Sequence, residues 1–203
     1  MKKNKISKNW INRQKRDIYI RKSNIEGYRS RAVYKLEEIN NKFTIFRDGL
    51  KVIDLGAAPG SWSQYISKNI NNCKLLAIDI KNIETINNTY FLKGDFLDEI
   101  FQEKIKKYFN KKVDVVLSDM AANTTGNKNL DSIVTGELCI EAMNFSINIL
   151  NYNGQFVSKL FMGSIFNEVV SLAKKNFKET HIFKPTSSRK ESKECFLICK
   201  KLL

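Results

Sequence analysis

The sequence predicts an α/β fold built around a mainly parallel β-sheet, and three observations support this prediction. A hydrophobic run at residues 52–55 leads into glycine and proline residues and then into a segment compatible with a helix. This is the pattern of a buried strand that turns sharply into a helix. Short apolar runs then alternate with helical segments along the chain, as in an α/β protein. The 203 residues suffice for one such domain with a full core but not for two.

The predicted organisation is a basic, partly ordered arm at residues 1–25 followed by a single domain at residues 26–203, without internal repeats. No apolar run is long enough to span a membrane, and the amino terminus lacks an apolar signal core. We therefore expect a cytoplasmic protein. The four cysteines form no C-x-x-C pair and His181 is the only histidine, so we expect neither a metal site nor a histidine-based catalytic triad.

The net charge of +14 lies at the two ends of the chain. Residues 1–47 contain 14 Lys or Arg against 4 Asp or Glu, residues 184–203 contain 6 against 2, and the middle is neutral. Two basic ends around a neutral middle are expected if both ends contact a polyanion, which favours an RNA partner. The alternative is a lysine-rich solubilising tail.

The first predicted helix covers the run S-R-A-V-Y-K-L-E-E-I at residues 30–39, in which apolar residues recur near helical spacing. Ser30 is a plausible N-cap, and Glu37 and Glu38 are expected to point outward. Lys35 therefore lies on a helix that precedes the first strand. From periodicity alone it is an ordinary exposed lysine.

The turn after the first strand has the sequence D-L-G-A-A-P-G-S-W-S-Q and is the predicted ligand site. It contains Asp54 at the strand end, then Gly56, Pro59, Gly60 and the aromatic Trp62. The glycines let a ligand approach the backbone, and the following helix directs free N–H groups and its positive dipole end toward it. The spacing matches neither the dinucleotide fingerprint nor the phosphate-binding loop that ends in G-K-[ST].

Three further aspartates follow predicted strands. Asp79 ends the strand at 75–80, about 20 residues beyond the glycine turn, where an acidic residue can bind ribose hydroxyls. Asp95 follows a third strand at 90–92, and Asp119 ends a fourth at 113–120. Ligands collect at the carboxyl edge of a parallel sheet, so these positions predict a binding site. Turn capping by Asp79 or Asp119 is the alternative.

The remaining pattern predicts three helices and three strands. The helices are at 97–108, 135–150 and 165–176, and the strands are at 154–161, 177–185 and 195–199. Lys159 lies within the fifth strand, where a lysine is costly to bury unless it is paired or used. It could instead extend its amine to the strand end. Glu194 stands at the entrance to the last strand.

The glycine turn closely resembles the S-adenosylmethionine (SAM) loop of the RrmJ/FtsJ family of ribosomal RNA methyltransferases. The resemblance covers about residue 27 to the end and implies a Rossmann-like, seven-stranded sheet, mostly parallel with an antiparallel last strand and helices on both faces. It also implies SAM as cofactor, bound at the turn. The implied contacts are Asp54, Gly56, Pro59, Gly60, Trp62, Asp79, Asp95, whose acid faces adenine in the family, and Asp119.

Four segments also resemble the contexts of the family's catalytic tetrad, namely S-R-A-V-Y-K-L, L-S-D-M-A, V-S-K-L-F and S-K-E-C-F. They place Lys35, Asp119, Lys159 and Glu194 in that tetrad. The chain departs from the family at Ala122, where proline is usual. The implied general base is Lys159, and loss of its proton would be favoured by burial and by a nearby Lys35, but opposed by Asp119. Asp119 would orient Lys159, and Glu194 would hold Lys35 or the target ribose.

The resemblance implies 2′-O-methylation of a uridine in 23S ribosomal RNA, in the assembling large subunit, by a monomer that binds RNA through its basic arm and carboxyl-terminal basic loop. Methylation of tRNA or of an mRNA cap remains an alternative. A non-catalytic RNA-binding assembly factor is disfavoured because the whole tetrad is present. A small-molecule or protein methyltransferase would leave the basic ends unexplained.

Overall fold

A computed structural model describes residues 17–110, 112–121 and 127–203, without the side chain of Lys128. In this part of the chain, six helices and seven strands follow one another. The helices are α1 (Ile18–Ile25), α2 (Val33–Phe43), α3 (Ser61–Asn69), α4 (Glu99–Phe109), α5 (Lys128–Ile149) and α6 (Phe166–Asn176). The strands are β1 (Lys51–Leu55), β2 (Lys74–Asp79), β3 (Thr89–Lys93), β4 (Val113–Ser118), β5 (Leu150–Phe161), β6 (Phe177–Phe183) and β7 (Glu194–Leu202).

The seven strands form one sheet in the order β3-β2-β1-β4-β5-β7-β6. The pairs from β3 through β5 are parallel, whereas β7 runs antiparallel to both β5 and β6. The strand order reverses direction between β1 and β4, which is the position where open α/β sheets bind their ligands. The predicted fold class, including the antiparallel last strand, is confirmed.

Alternating residues of the strands supply two hydrophobic cores, one on each face of the sheet. Ile53 and Leu55 of β1 point into a core with α4, α5 and α6. Val52 points to the other face, into a core with α2 and α3, against which Tyr19 of α1 also packs. This alternation follows from the two-residue period of a strand. Helices therefore cover both faces, and the face that carries α1, α2 and α3 is called the α2 face below.

The structure differs from the predictions at several element boundaries. A helix occupies residues 18–25, because Asp17 caps it by accepting a hydrogen bond from the Tyr19 N–H. Residues 1–16 of the predicted arm lie outside the described residues. Helix α2 begins at Val33 with Ala32 as N-cap, so Ser30 is not its cap. Instead, the Ser30 hydroxyl accepts a hydrogen bond from the Ala32 N–H.

The long helix α5 begins at Lys128 rather than at residue 135. Its N-cap is Asn127, whose side chain accepts hydrogen bonds from the Asn129 and Leu130 N–H groups. The polar first turns hide this start from an analysis of apolar periodicity, although Asn is a strong N-cap residue. Within the described residues, no helix is both long and apolar enough to cross a membrane.

Candidate active site

The acidic residues predicted from the strand ends gather at the carboxyl edge of the parallel part of the sheet. Asp54 pairs in register with Ala77 of β2 and Leu117 of β4, which places it one residue before the edge. Asp79 ends β2, and Asp119 directly follows β4, where its N–H donates to the Leu55 carbonyl. Strands β1, β2 and β4 are neighbours, so three carboxylates from distant parts of the chain border one region.

The glycine turn is shaped by two backbone positions that only glycine fills without strain. Gly56 has a φ of 74° and Gly60 a φ of 109°. A Cβ atom at Gly56 would lie 2.8 Å from the Met120 backbone nitrogen, and one at Gly60 would lie 2.6 Å from Arg29 Nη1. The Gly56 N–H donates to the Ile78 carbonyl, which ties the turn to β2. The turn is therefore a fixed, close-fitting backbone cradle before the N-terminus of α3.

Asp54 is fully buried beneath this turn. Its Oδ2 accepts a hydrogen bond of 2.6 Å from the Ser63 hydroxyl, whereas Oδ1 has no partner among the described residues. Burial raises the pKa of Asp54 to about 7, and the Asp119 and Asp79 carboxylates act in the same direction, while the Ser63 hydrogen bonds oppose the rise. Asp54 thus has one free acceptor position below the cradle.

Asp79 and Asp95 organise the neighbouring loops through backbone hydrogen bonds. Asp79 Oδ2 accepts from the Ala58 N–H at 2.9 Å, and Oδ1 accepts from the Lys81 N–H at 2.8 Å. Asp95 Oδ1 accepts from the Leu97 N–H, and its side chain is exposed. A carboxylate oxygen has a further lone pair, so these bonds leave both residues able to accept from a ligand. Their cofactor contacts remain predictions.

Trp62 is placed in the core of the α2 face and not on an open surface. Its side chain is 3% exposed, and its indole N–H donates to the Ala32 carbonyl at 2.8 Å. Its ring centroid lies 5.8 Å from that of Phe196 on β7. The ring therefore fixes the start of α2 against α3 and β7. A direct cofactor contact by Trp62 remains a prediction.

Lys159 and Asp119 form a close pair at the edge of the sheet. Lys159 Nζ donates to the backbone carbonyl of Asp119 at 2.6 Å and to its Oδ1 at 3.0 Å. The Lys159 residue is only 8% exposed, so the pairing compensates a charge that would otherwise be costly to bury. Strand periodicity directs the side chain to the α2 face together with Val157, whereas its ammonium group reaches the strand end.

Lys35 and Glu194 form a second pair on the same face. Lys35 Nζ lies 2.7 Å from Glu194 Oε1 and donates to Oε2 at 2.8 Å. The Ser188 hydroxyl also donates to Glu194 Oε1. In the antiparallel β5–β7 register, Lys159 pairs with Phe196, and Lys35 Nζ lies 5.9 Å from the Phe196 ring centroid. The structure thus brings all four predicted catalytic residues to one region, as two ion pairs on either side of Phe196.

Sequence reasoning missed Arg29, which connects three segments around the cradle. Its guanidinium donates to the carbonyls of Pro59, Glu84 and Thr85, and its N–H donates to the Gln64 side chain. The only available signal was its position in the segment before Lys35. An arginine with such backbone acceptors holds the cradle and the loop after β2 in fixed positions.

Glu38 was predicted to point outward, but it binds the basic loop at residues 184–193. Its carboxylate accepts hydrogen bonds from the Thr186 and Ser187 N–H groups and from the Thr186 hydroxyl. Burial raises the pKa of Glu38, but these hydrogen bonds outweigh it and the net shift is downward. Helix α2 therefore anchors the basic loop next to the tetrad.

The residues at the strand ends beside the cradle fit a cofactor with a nucleoside part. The Asp79 and Asp95 carboxylates retain lone pairs that can accept hydrogen bonds from ribose hydroxyls or other ligand donors, whereas Oδ1 of Asp54 is fully buried. Among the described residues, no group of three or more His, Cys, Asp or Glu side chains is arranged to hold a metal ion.

Comparisons with known proteins find relatives over nearly the whole chain. The model of the FtsJ-like methyltransferase family matches residues 28–202. The chain is 64% identical over 200 residues to ribosomal RNA large subunit methyltransferase E of Pelagibacter ubique, covering 98% of each chain. It is 46% identical to the protein of the same name from Rickettsia akari, over 95% of this chain and 87% of that protein.

A solved structure from Plasmodium falciparum, described as a ribosomal RNA methyltransferase, superposes on this fold with a TM-score of 0.76. The two are 34% identical in sequence, and the match covers 87% of this chain and 99% of the other. The likeness therefore extends over nearly the whole sheet and its helices.

Proposed function

Because the chain belongs to the FtsJ-like methyltransferase family, we propose that it transfers a methyl group from SAM to the ribose 2′-hydroxyl of a uridine in 23S ribosomal RNA, within the assembling large subunit. The observation that carries this proposal is the pair Lys159–Asp119 beside the pair Lys35–Glu194, next to the glycine cradle. The large-subunit substrate rests on the names of the relatives. We further propose that the protein acts as a cytoplasmic monomer.

The residues that would hold the cofactor are those of the cradle and the adjoining strand ends. The backbone at Gly56, Pro59 and Gly60 permits close approach, and Asp79 would accept hydrogen bonds from the ribose hydroxyls. Asp95 would lie toward the adenine. When bound, SAM supplies a methyl group on a positively charged sulfur, which leaves as a neutral thioether.

In the proposed step, a ribose 2′-oxygen forms a bond to the methyl carbon while the bond from that carbon to sulfur breaks. The hydroxyl proton passes to Lys159 Nζ, which acts as general base. Lys159 can accept this proton only as a neutral amine, and the Asp119 carboxylate at 3.0 Å orients the amine although it favours the charged form. The Asp119 carbonyl at 2.6 Å fixes the direction of the amine. Much of the acceleration then comes from alignment.

Lys35 and Glu194 would position the acceptor ribose. The two side chains are 14% and 12% exposed, so each retains a surface from which it can contact the substrate. The Ser188 hydroxyl holds Glu194 in place. A cation at this point also favours the deprotonated form of a neighbouring amine, which is the role assigned to Lys35 toward Lys159.

Two other functions predict different substrates or no reaction. The same chemistry would serve a tRNA or an mRNA cap, and an assembly factor would bind RNA without methylating it. The retention of two complete ion pairs favours catalysis, because a binding protein would not need a lysine buried at a strand end.

The test of the proposed function is a map of ribose methylation on large-subunit RNA from cells with and without the gene. We expect one uridine to lose its 2′-O-methyl group in the cells without the gene and to regain it when purified protein and SAM are added. An unchanged map would reject the substrate, and incubation with tRNA and with capped RNA would then identify the alternative.

A further inference from the structure

A second group of charges lies beside the tetrad, where helix α1 meets the basic loop. The Asp17 carboxylate, at the N-cap of α1, is ion-paired through Oδ2 with Arg31 Nη1 and lies 3.8 Å from Arg189 Nε. The Asp17 side chain is only 10% exposed, whereas that of Arg189 is 37% exposed. One carboxylate is thus held between two guanidinium groups that come from segments far apart in the sequence.

The guanidinium of Arg31 is fixed in place independently of Asp17. Its Nη2 donates to the backbone carbonyl of Ser187, in the loop that Glu38 anchors to α2. Burial and the nearby Arg189 both lower the pKa of Arg31, while the carboxylates of Glu194 and Glu191 raise it. Two like charges are therefore brought together, and the Asp17 carboxylate is the anion that contacts both of them. Guanidinium groups bind carboxylate and phosphate with the same fork geometry.

These charges border a cavity of about 420 Å³ that leads to the tetrad. Its walls come from α1, from the segment before α2 and from the basic loop. The lining includes both Lys35 and Glu194, together with Arg29, Arg31 and Arg189. An RNA strand whose ribose lies at the tetrad would have to place an adjacent phosphate near this wall.

The basic arm precedes Asp17 in the sequence. Residues 1–16 contain seven Lys or Arg and no Asp or Glu, and they connect directly to Asp17. Helix α1 has a single buried residue, Ser23, and Ile18 and Ile25 are 69% and 86% exposed, while Tyr19 packs against the core of the α2 face. Asp17 lies just before this helix, so its carboxylate can leave the two arginines by a change of its own side chain while Tyr19 stays packed.

We propose that Arg31 and Arg189 form a subsite for an RNA backbone phosphate next to the acceptor ribose, and that Asp17 occupies this subsite in the free protein. Binding of RNA exchanges the carboxylate for a phosphate. The Asp17 carboxylate therefore competes with this phosphate and lowers the affinity of the parent protein for RNA that engages the subsite. This inference rests on the proposed function, because RNA is taken as the ligand of the tetrad.

The test is the binding of a short single-stranded RNA to Asp17→Asn at several salt concentrations. Asn preserves the N-cap and the side-chain volume, so only the charge is removed. We expect binding to tighten by about two- to tenfold, the size of a released partly buried ion pair. The slope of log affinity against log salt should stay close to that of the parent, because the same phosphate is neutralised in both complexes.

The matched control is Asp98→Asn, which removes a carboxylate from the N-cap of α4 on the opposite face of the sheet. It should leave the RNA affinity and the salt slope unchanged. In the Arg189→Gln background, Asp17→Asn should increase the RNA affinity by a smaller factor, because one of the two guanidinium groups of the subsite is absent. Arg189→Gln alone should weaken RNA binding and flatten the slope.

Unchanged or weaker RNA binding by Asp17→Asn would overturn the proposal and leave Asp17 as a clamp for α1. If that variant does not fold, an unchanged RNA affinity in Arg189→Gln would overturn it equally. These measurements need no methyl transfer. If only the proposed function is wrong, the protein would not methylate RNA, but the Asp17 and Arg189 substitutions would still change RNA binding as described. The two failures can therefore be told apart.

Discussion

At the scale of single residues, the site is organised by two lysines that each have a carboxylate of their own. Lys159 is bound by Asp119 and Lys35 by Glu194, at 3.0 Å and 2.7 Å. Burial of either charged lysine without a partner would cost free energy of desolvation, and an ion pair alone would keep each lysine charged and unreactive. The two proposed roles differ in charge, because a general base must lose its proton whereas a positioning cation must keep it. We propose Lys159 as the base from the resemblance of its segment to the family, and its two hydrogen bonds to Asp119 fix the direction of the amine.

Lys159→Met is expected to separate binding from chemistry. Methionine keeps the bulk of the lysine stem and removes the amine, so the fold and the SAM affinity should be retained. The methyl-transfer rate with saturating SAM should fall by roughly two to four powers of ten, the usual contribution of a general base. Single-turnover transfer to large-subunit RNA measures this directly.

The control is Lys106→Met on α4, which removes an amine from the opposite face of the sheet and should not change the rate. Lys35→Met should also slow transfer, with partial recovery at higher pH if Lys35 favours the deprotonated amine of its neighbour. A Lys159→Met protein that transfers methyl groups at nearly the parent rate would make Lys159 a packing residue.

Asp54 gives stability a pH dependence of unusual sign. Its pKa is about 7 in the folded protein and about 4 in an unfolded chain. Between these values the unfolded chain releases the proton while the folded protein keeps it. Stability therefore falls as pH rises through this window and is unaffected by this group at lower pH.

The asparagine of Asp54→Asn is neutral at every pH, so the variant should not lose stability as the pH rises. Relative to the parent, the free energy of unfolding of the variant should improve by about 2 to 4 kcal/mol between pH 5 and pH 8. Urea unfolding without SAM at both pH values measures the difference. Asp98→Asn, which removes a carboxylate at an exposed helix cap, should show no such gain. If the free energy of unfolding of Asp54→Asn differs from that of the parent by the same amount at pH 5 and pH 8, Asp54 is not a protonated, buried carboxyl group in the folded protein.

At the scale of elements, apolar periodicity predicted all seven strands and most helices, because their inward faces are regular. Boundaries that polar groups determine were missed. The start of α5 depends on the Asn127 cap, and α1 depends on the Asp17 cap rather than on an apolar face. Hydrogen-bonded caps contribute one or two local contacts, which an apolar pattern does not reveal.

The same limit applies to the candidate site. Asp54, Asp79 and Asp119 could be predicted from the sequence because each lies at the end of a strand or directly follows one. The tetrad as a group was assigned only by the resemblance to the family, and its catalytic roles remain predictions. The roles of Arg29 and Glu38 were not predicted, because each residue acts through backbone groups of segments distant in the sequence. Trp62 was predicted as a cofactor contact, and the structure shows in addition that its indole packs between α2 and β7. The division of the chain at residue 25 remains a prediction.

Helix α2 is the element that joins these parts. Lys35 of this helix forms an ion pair with Glu194, and one turn later Glu38 accepts a hydrogen bond from the Ser187 N–H. Arg31, just before the helix, donates to the Ser187 carbonyl. Three successive polar contacts therefore hold the basic loop against the site, and the loop cannot shift without moving the residues assigned to the acceptor ribose.

At the scale of the whole molecule, the charge distribution matches the position of the site. The arm enters at Asp17 and the basic loop contains Arg189, and these two residues lie 3.8 Å apart at their charged groups. The first described residue after the amino-terminal arm therefore lies beside the basic loop, as expected if both basic ends contact a polyanion that crosses the α2 face.

This convergence predicts that the arm binds RNA, although its residues lie outside the described part of the chain. Replacing Arg13, Lys15 and Arg16 together with glutamine should weaken RNA binding and flatten its salt dependence by about 2, since about three fewer phosphates are neutralised. SAM affinity should not change, because the cradle is formed by β1, β2 and α3. Equilibrium binding across a salt series measures both effects.

A second triple substitution separates a local role of the arm from the overall charge. Replacing Lys104, Lys106 and Lys107 of α4 with glutamine removes the same three charges from the opposite face of the sheet. If the RNA follows the α2 face, this control should keep nearly the parent salt slope, because those lysines lie beyond a Debye length of about 8 Å from the RNA. Equal losses for the two variants would mean that net charge alone attracts the RNA. An unchanged slope for the arm variant would leave residues 1–16 as a tail and confine RNA recognition to the cavity bordered by Arg31 and Arg189.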